Sequence, residues 1–228
     1  MNNTDINKTV LKKIAIALAE LNAEVIYVGG ATVGLYANTP AAEDVRPTKD
    51  LDISLSIATI GELEKIREEL IRKGFIQTSE DDVICRFRYE DIKVDVMNTK
   101  EISWAPANPW FKPGFDKKEE ILIEGIKIQI LPLAYFLASK FTAYENRGKN
   151  EPRTSHDFED ITYVLDNRTD LVEQICTAPD DVRNFLKNEF HKILNDDVKK
   201  EAIHGNLSFS ESDKRFKKII QKLSEICN

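Results

Sequence analysis

The sequence predicts an α/β (α+β) fold, in which a mixed β-sheet with flanking helices is followed by a C-terminal helical bundle. Two observations lead to this prediction. Between about residues 24 and 130, short β-branched runs alternate with amphipathic stretches, a pattern typical of a sheet covered by helices. After Leu131-Pro132 the apolar residues recur at helical spacing almost to the end. We therefore predict one domain over residues 1–130 and a second, helical domain over residues 131–228.

The strands and helices follow from the apolar spacing and from the turn residues between them. Strands are predicted over residues 25–28, 51–57, 83–89, 92–97, 121–123 and 126–130, the last four as two hairpins. Helices are predicted over residues 8–21, 31–37, 60–73, 133–147 and 155–165, and from about residues 169, 180 and 212. The proline-rich residues 104–113 are predicted to form a loop, whose Trp104 and Trp110 either pack locally or stack on a base.

Composition and charge narrow the class of protein. Hydrophobic residues make up 42% and charged residues 31% of the chain, and no apolar run approaches the roughly 20 residues that cross a bilayer. The N-terminus shows no secretory signal and the three cysteines lie far apart. We therefore expect a cytoplasmic protein with no membrane association, no disulfides and no cysteine zinc site. The net charge of −7 argues against a surface that binds nucleic acid everywhere, while the later basic clusters leave a local phosphate-binding edge open.

The strongest chemical signal is a pair of aspartates on one face of a predicted strand. Because alternate residues of a strand point to the same side, Asp50 and Asp52 share a face while Leu51 and Ile53 point into a core. Two neighbouring carboxylates repel each other unless a positive charge lies between them. Mg²⁺ suits such hard oxygen ligands, so the pair predicts a magnesium site; an amphipathic strand facing water is the alternative.

A third aspartate strengthens the prediction. Asp95 alternates with Val94 and Val96 in another predicted strand, although aspartate is disfavoured within strands. If the two strands are neighbours, Asp95 completes a cluster of three carboxylates. Such a cluster can hold two Mg²⁺ ions about 3.5–4 Å apart, one activating an attacking hydroxyl and one steadying a triphosphate. An edge strand that points Asp95 to solvent is the alternative.

A glycine turn precedes the aspartates by one helix and one loop. The strand over residues 25–28 runs into Gly29-Gly30 and then into a predicted helix. Glycines allow close backbone approach, and the start of a helix offers free N–H groups to phosphate. We therefore take Gly29, Gly30 and the hydroxyl of Thr32 as candidates for binding a nucleoside triphosphate. A glycine pair is also what an ordinary tight turn requires.

These residues together resemble a known family. A strand, Gly-Gly, a helix, an Asp-x-Asp strand and a later strand carboxylate resemble the polymerase-β-like nucleotidyltransferases, over about residues 25–166. Residues 46–52 (RPTKDLD), with Lys49 beside Asp50, are similar to the AbiEii-type nucleotidyltransferase toxins, including the MenT group. That group also carries a helical lysine with a following arginine and then an aspartate-rich helix, which here resemble Lys140, Arg147 and Asp157. We therefore count Lys49 and Arg147 among the nucleotide-binding candidates.

Lys140 and Asp157 are also candidate functional residues from the helical pattern alone, without the resemblance. Lys140 lies in the apolar stripe of its predicted helix, with Arg147 in line, and Asp157 and Asp160 lie on the apolar side of the next helix. This pattern fits either a functional site between the helices or a buried structural ion pair. In the functional interpretation Lys140 contacts the triphosphate, and Asp157 orients Lys140 or acts as a base.

The resemblance implies a nucleotidyltransferase that moves a nucleoside monophosphate from a triphosphate to an acceptor. The implied acceptor is typically a tRNA 3′ end, or else the toxin itself or another protein, and an antitoxin is the implied partner. In this interpretation the helical domain completes the active site. Two alternatives stay open: the same chemistry on a small hydroxylated molecule of the aminoglycoside type, and an inactive binding module with the same fold. The first alternative is mildly favoured by the acidic net charge.

Overall fold

The fold is taken from a computed structural model, which describes the chain except residues 1, 41, 43, 47, 49, 57–58, 82–84, 104–106, 148–150 and 209–210. The predicted α/β class is confirmed, since a six-stranded mixed sheet is combined with many helices. The chain divides into two compact units. The first comprises Met1–Gly34 and Asp44–Pro132, and the second comprises Leu35–Glu43 and Leu133–Asn228.

The first unit contains the sheet. Its strands are β1 (Val25–Val28), β2 (Asp50–Leu55), β3 (Arg86–Tyr89), β4 (Ile92–Asn98), β5 (Glu119–Ile123) and β6 (Ile126–Ile130). The strand order is β3-β4-β2-β1-β6-β5. Strand β2 runs parallel to β4 and antiparallel to β1, and β1 runs parallel to β6. Both predicted hairpins are present, with turns at residues 90–91 and 124–125.

Among the described residues of this unit, the α-helices are α1 (Asn3–Leu18), α2 (Ile60–Arg72) and α3 (Phe111–Phe115). Helix α2 begins at a capping box, in which the Thr59 hydroxyl accepts the Glu62 N–H and the Glu62 carboxylate accepts the Thr59 N–H. Helix α1 starts five residues before its predicted start. The Asn2 side chain accepts the Asp5 N–H at 2.8 Å, which caps a first turn that carries little apolar periodicity.

Two further predicted segments differ from the structure. Residues 104–113 do not form a loop throughout, because Phe111–Phe115 is a short helix with Phe111 buried. Pro113 is tolerated there because the first turn of a helix needs no N–H donor. The segment predicted as a helix over residues 31–37 is a 3-10 helix, Gly30–Tyr36, following a shorter 3-10 segment at Ala19–Glu24.

The second unit is helical, as predicted. Its helices are α4 (Leu133–Asn146), α5 (His156–Asn167), α6 (Leu171–Cys176), α7 (Asp180–Leu194), α8 (Asp197–Gly205) and α9 (Ser212–Cys227). Phe136, Phe158 and Phe190 are fully buried in its core. Tyr36 stacks on Phe136 with ring centroids 4.1 Å apart, so the segment Leu35–Glu43 belongs to this unit although it precedes β2 in the chain.

Helix α9 is tied to the end of α5 by a lysine. The ammonium of Lys222 donates to the main-chain oxygens of Leu165 and Arg168, both at 2.8 Å, and to that of Asp166 at 3.4 Å. The last carbonyls of a helix have no partner within the helix, so a cation there satisfies them. Burial lowers the pKa of Lys222. In the part of the chain that the structure describes, no helix has both the length and the apolar character needed to cross a membrane.

Candidate functional site

The candidate site of the first unit is built on strand β2, in which apolar residues and aspartates alternate between the two faces of the sheet. Leu51 and Ile53 are completely buried, whereas Asp52 is half-buried and Asp50 is exposed. The next residue on the aspartate face, Ser54, is fully buried. Ile57, the last residue of the predicted strand, lies outside the described residues.

Strand β4 lies beside β2 and places Asp95 next to Asp52. The two strands are parallel, with Asp52 opposite Asp95 and Asp50 opposite Lys93. Residues directly opposite each other on neighbouring strands project from the same side of a sheet, with the strands about 4.8 Å apart. Asp50, Asp52 and Asp95 therefore share one face of the sheet.

An arginine on β3 pairs with the third aspartate. Arg86 is opposite Asp95 in the β3–β4 hairpin, and its Nε and Nη2 each donate to one Asp95 carboxylate oxygen at 2.7 Å. Both side chains are largely buried, with 18% and 14% exposed. The hydrogen bonds to Asp95, with the charges of Asp50 and Asp81, raise the pKa of Arg86. Arg86 was not predicted from the sequence, although a two-residue turn at residues 90–91 already places residue 86 opposite residue 95.

The glycine turn lies against the carboxylate of Asp52. Val28, the last residue of β1, is opposite Asp52, and Gly29 follows with a φ of +75°. A Cβ atom on Gly29 would lie only 1.9 Å from Asp52 Oδ2 and 3.1 Å from Asp52 Cβ. The absence of a side chain at Gly29 is therefore what makes room for the Asp52 carboxylate.

Thr32 forms a hydrogen bond to the main chain of the glycine turn. Its side chain is completely buried, and its hydroxyl donates to the carbonyl oxygen of Gly29 at 3.0 Å. The structure thus gives the Thr32 hydroxyl a contact with the main chain of the turn, while its contact with phosphate stays a prediction. Gly30 begins the 3-10 helix that follows, and Lys49 lies outside the described residues.

A buried thiol also lies close to the carboxylates. Burial raises the pKa of the Cys85 thiol to about 11, and the charges of Asp95 and Asp52 add to this effect. The Cys85 carbonyl accepts the Val96 N–H at 2.9 Å, which extends the pairing of the hairpin by one residue. The thiol is therefore neutral at physiological pH and contributes no further negative charge to the site.

The carboxylates suit a divalent cation that is bound by a pair of protein ligands, rather than one that is enclosed by protein ligands on all sides. Among the described residues, no three His, Cys, Asp or Glu side chains are arranged to hold one metal ion. Mg²⁺ is commonly bound through one or two carboxylates, and water and substrate phosphates complete its coordination. Asp50 and Asp52 provide such a pair, and the space left by Gly29 brings the Asp52 carboxylate to the turn. These residues fit a divalent cation of that kind.

The second unit holds the other predicted group. Lys140 Nζ lies 2.6 Å from Asp160 Oδ2 and 3.2 Å from Asp157 Oδ1, and all three side chains are less than 10% exposed. Arg147 Nη1 lies 3.3 Å from Asp157 Oδ2 while most of its own side chain is exposed. The two aspartates that share the apolar side of α5 are therefore both paired, so the buried ion pair foreseen as one interpretation is present.

A cavity of about 460 Å³ lies at the other end of β2. It is lined by residues that include Leu55, Lys65 and Phe115. Because Leu55 ends the strand that Asp50 begins, this cavity is separate from the carboxylates. The carboxylates instead lie on one face of the sheet beside the glycine turn.

Similar structures share the fold. An antigenic nucleotidyltransferase-like protein from Paracoccidioides brasiliensis matches with a TM-score of 0.52 and 18% identity, over 92% of this chain and 98% of that chain. The antibiotic-resistance factor ANT(2'')-Ia matches with a TM-score of 0.50 and 16% identity, over 86% of this chain and 97% of that chain. At such identities the likeness establishes the fold alone. No curated protein matches the chain in sequence.

A family model shows more than the fold. The model described as "Nucleotidyl transferase AbiEii toxin, Type IV TA system" matches residues 20–225, which is nearly the whole chain and reaches past the segment that the sequence motifs covered. The strand carboxylates and the glycine turn lie within this range. The chain therefore belongs to the AbiEii nucleotidyltransferase toxin family, and it is a nucleotidyltransferase.

Proposed function

We propose that this enzyme uses Mg²⁺ to transfer a nucleoside monophosphate from a nucleoside triphosphate to tRNA, as the toxin of a toxin–antitoxin pair. One observation carries the chemical part of the proposal. Asp50, Asp52 and Asp95 share one face of the sheet, with Gly29 packed directly against Asp52. Family membership implies a triphosphate substrate and an antitoxin partner.

In the proposed reaction each residue of the site has its own role. Asp50 and Asp52 hold the divalent cation, and Asp95 is the third carboxylate that a second ion requires. The Gly29-Gly30 turn and Lys49 bind the triphosphate. A bound cation supplies charge neutralisation to the triphosphate and polarises the reacting oxygens. The acceptor oxygen then forms a bond to the α-phosphorus, pyrophosphate leaves with the bridging oxygen, and the proton of the acceptor hydroxyl passes to water.

We propose a supporting part for the charged group of the second unit. Lys140 and Arg147 supply positive charge toward the triphosphate, and Asp157 orients Lys140. What supports this is the cost of burying the lysine, since a charge in an apolar interior is retained only where partners stabilise it. In this proposal residues 131–228 form a helical domain that completes the catalytic function of residues 1–130.

An RNA acceptor is supported by local charge. The chain as a whole is acidic, but Lys214, Lys217 and Lys218 are exposed on α9 at spacings of three and four residues, which places them on one side of the helix. Phosphate contacts from lysines are largely independent of base sequence, as an end-labelling enzyme requires. A tRNA substrate would place the enzyme in the cytoplasm.

A small hydroxylated acceptor is the alternative. It is favoured by the net charge of −7 and by the likeness in fold to an antibiotic-resistance factor. An inactive binding module is disfavoured, because the three aspartates are present on one face of the sheet and Gly29 lies against Asp52.

One experiment tests the proposal. The full chain is incubated with each labelled nucleoside triphosphate and Mg²⁺, in turn with total tRNA, with an aminoglycoside, and alone. We expect label on tRNA, abolished by EDTA and by Asp52→Asn, and retained in the control Asp116→Asn, which changes an exposed aspartate of the same unit. Label on the aminoglycoside would establish the alternative acceptor. An active Asp52→Asn variant would refute the mechanism.

A further inference from the structure

The carboxylate face of the sheet carries its own positive charges. Asp52, Asp95 and Arg86 lie opposite one another across β2, β4 and β3. The next row, two residues along, contains Asp50, Lys93 and Arg88 in the same order. Three acidic and three basic side chains therefore alternate with apolar residues on these strands.

The contact of Arg86 bears directly on the third carboxylate. Its two hydrogen bonds engage both oxygens of Asp95 at 2.7 Å in the paired geometry that is strongest for arginine and carboxylate. Neither side chain is more than a fifth exposed, so water screens the pair weakly. A divalent cation that uses Asp95 must therefore compete with a guanidinium that is already bound.

We propose that Arg86 is a positioning residue. Its guanidinium holds Asp95 and serves as the counter-ion of that carboxylate, in the place of a second divalent cation. This inference rests on the proposed function, because it concerns the same carboxylates. Without nucleotide, the enzyme then binds one cation at Asp50 and Asp52. Asp95 becomes available to a second ion when the guanidinium is drawn away, and the negative charge of an incoming triphosphate is suited to do so.

The same strand provides a matched control. Arg88, two residues from Arg86, makes an equivalent pair with Asp81, with bonds of 2.7 and 2.9 Å. Arg88 stands in the row of Asp50 and Lys93, with β4 between it and Asp50, and Asp81 is not among the carboxylates of the site. Replacing Arg88 therefore removes a similar ion pair and a similar charge without freeing Asp95.

The test uses Mn²⁺ as a probe for divalent cations, with free Mn²⁺ counted by electron paramagnetic resonance in the absence of nucleotide. In the wild-type chain we expect one bound ion, lost in Asp52→Asn. In Arg86→Met the dissociation constant should fall by about tenfold, the scale on which one unit charge near a divalent ion acts in a solvated site. Arg88→Met should change it much less, and Arg86→Met combined with Asp95→Asn should lose the gain.

The outcomes separate this inference from the proposed function. If Arg86→Met binds Mn²⁺ no more tightly than Arg88→Met, or if its gain survives without Asp95, the inference is wrong while the metal site at Asp52 stands. If the wild-type chain shows no Mn²⁺ binding that depends on Asp52, the proposed function loses its metal. Arg86→Lys covers the case in which Arg86→Met fails to fold. It keeps the charge but loses the two-bond geometry, so a smaller gain is expected and no gain would overturn the inference.

Discussion

Replacing Gly29 by alanine should inactivate the enzyme while leaving it folded. The new Cβ would lie 1.9 Å from Asp52 Oδ2, whereas ordinary contact begins at 3.4 Å, so the carboxylate has to move by about 1.5 Å. Misplacing a catalytic group by about 1 Å costs on the order of 100-fold in rate. We therefore expect kcat/KM to fall at least about 100-fold. The φ of +75° adds about 1–2 kcal/mol of destabilisation, because alanine is strained there.

A matched control separates backbone strain from the effect on Asp52. Gly125 has a φ of +85° in the turn between β5 and β6, and a Cβ there would meet no atom within 4 Å. Gly125→Ala should therefore lose a similar free energy of unfolding, measured in urea, while transfer of labelled nucleotide stays at the wild-type rate. If Gly29→Ala were as active as Gly125→Ala, the proposed position of Asp52 in the site would be refuted.

Two further predictions concern buried groups. Lys140→Met should lower the free energy of unfolding by about 3–5 kcal/mol in urea, because it leaves two buried aspartates without their shared cation. Lys12→Met, which breaks an exposed pair, should not change it measurably, and equal effects of the two would contradict the argument. Because burial raises the pKa of Cys85 to about 11, its reactive thiolate is scarce in the folded state until the pH approaches that value. Iodoacetamide at pH 8 should therefore label the exposed Cys176 well before Cys85, a difference that peptide mass spectrometry would detect and unfolding should abolish.

The elements that could be predicted are those whose signal is local. Alternation along β2 identified the strand and its two faces, because a strand buried on one side repeats every two residues. The turns at residues 90–91 and 124–125 identified both hairpins. The order of the strands was beyond reach, since the parallel pairing of β2 with β4 joins residues that are distant in the chain. The transfer of Leu35–Glu43 to the helical unit depends on the stacking of Tyr36 on Phe136, which is equally non-local.

The candidate site divides in the same way. Asp50 and Asp52 lie next to each other in the sequence, so their shared face could be predicted directly. Asp95 was placed only on the condition that its strand is a neighbour, and the structure meets that condition. Arg86 could be placed opposite Asp95 from the hairpin turn, but the sequence pattern does not show that its guanidinium pairs with that carboxylate. The hydrogen bond from Thr32 to the Gly29 carbonyl could not be predicted either, because periodicity carries no information about which hydroxyl bonds to a main-chain oxygen.

The attachment of α9 has a consequence for how this chain tolerates mutation. Lys222 donates hydrogen bonds to the main-chain oxygens at positions 165, 166 and 168, and every amino acid supplies such an oxygen. Exchange of the side chains at positions 165 and 168 removes none of these acceptors, whereas loss of the Asp166 carboxylate would also remove a negative charge that favours the charged form of the buried lysine. The lysine itself tolerates no such exchange, since only a long cationic side chain reaches the same acceptors. The attachment therefore depends on main-chain atoms at one end and on a single side chain at the other.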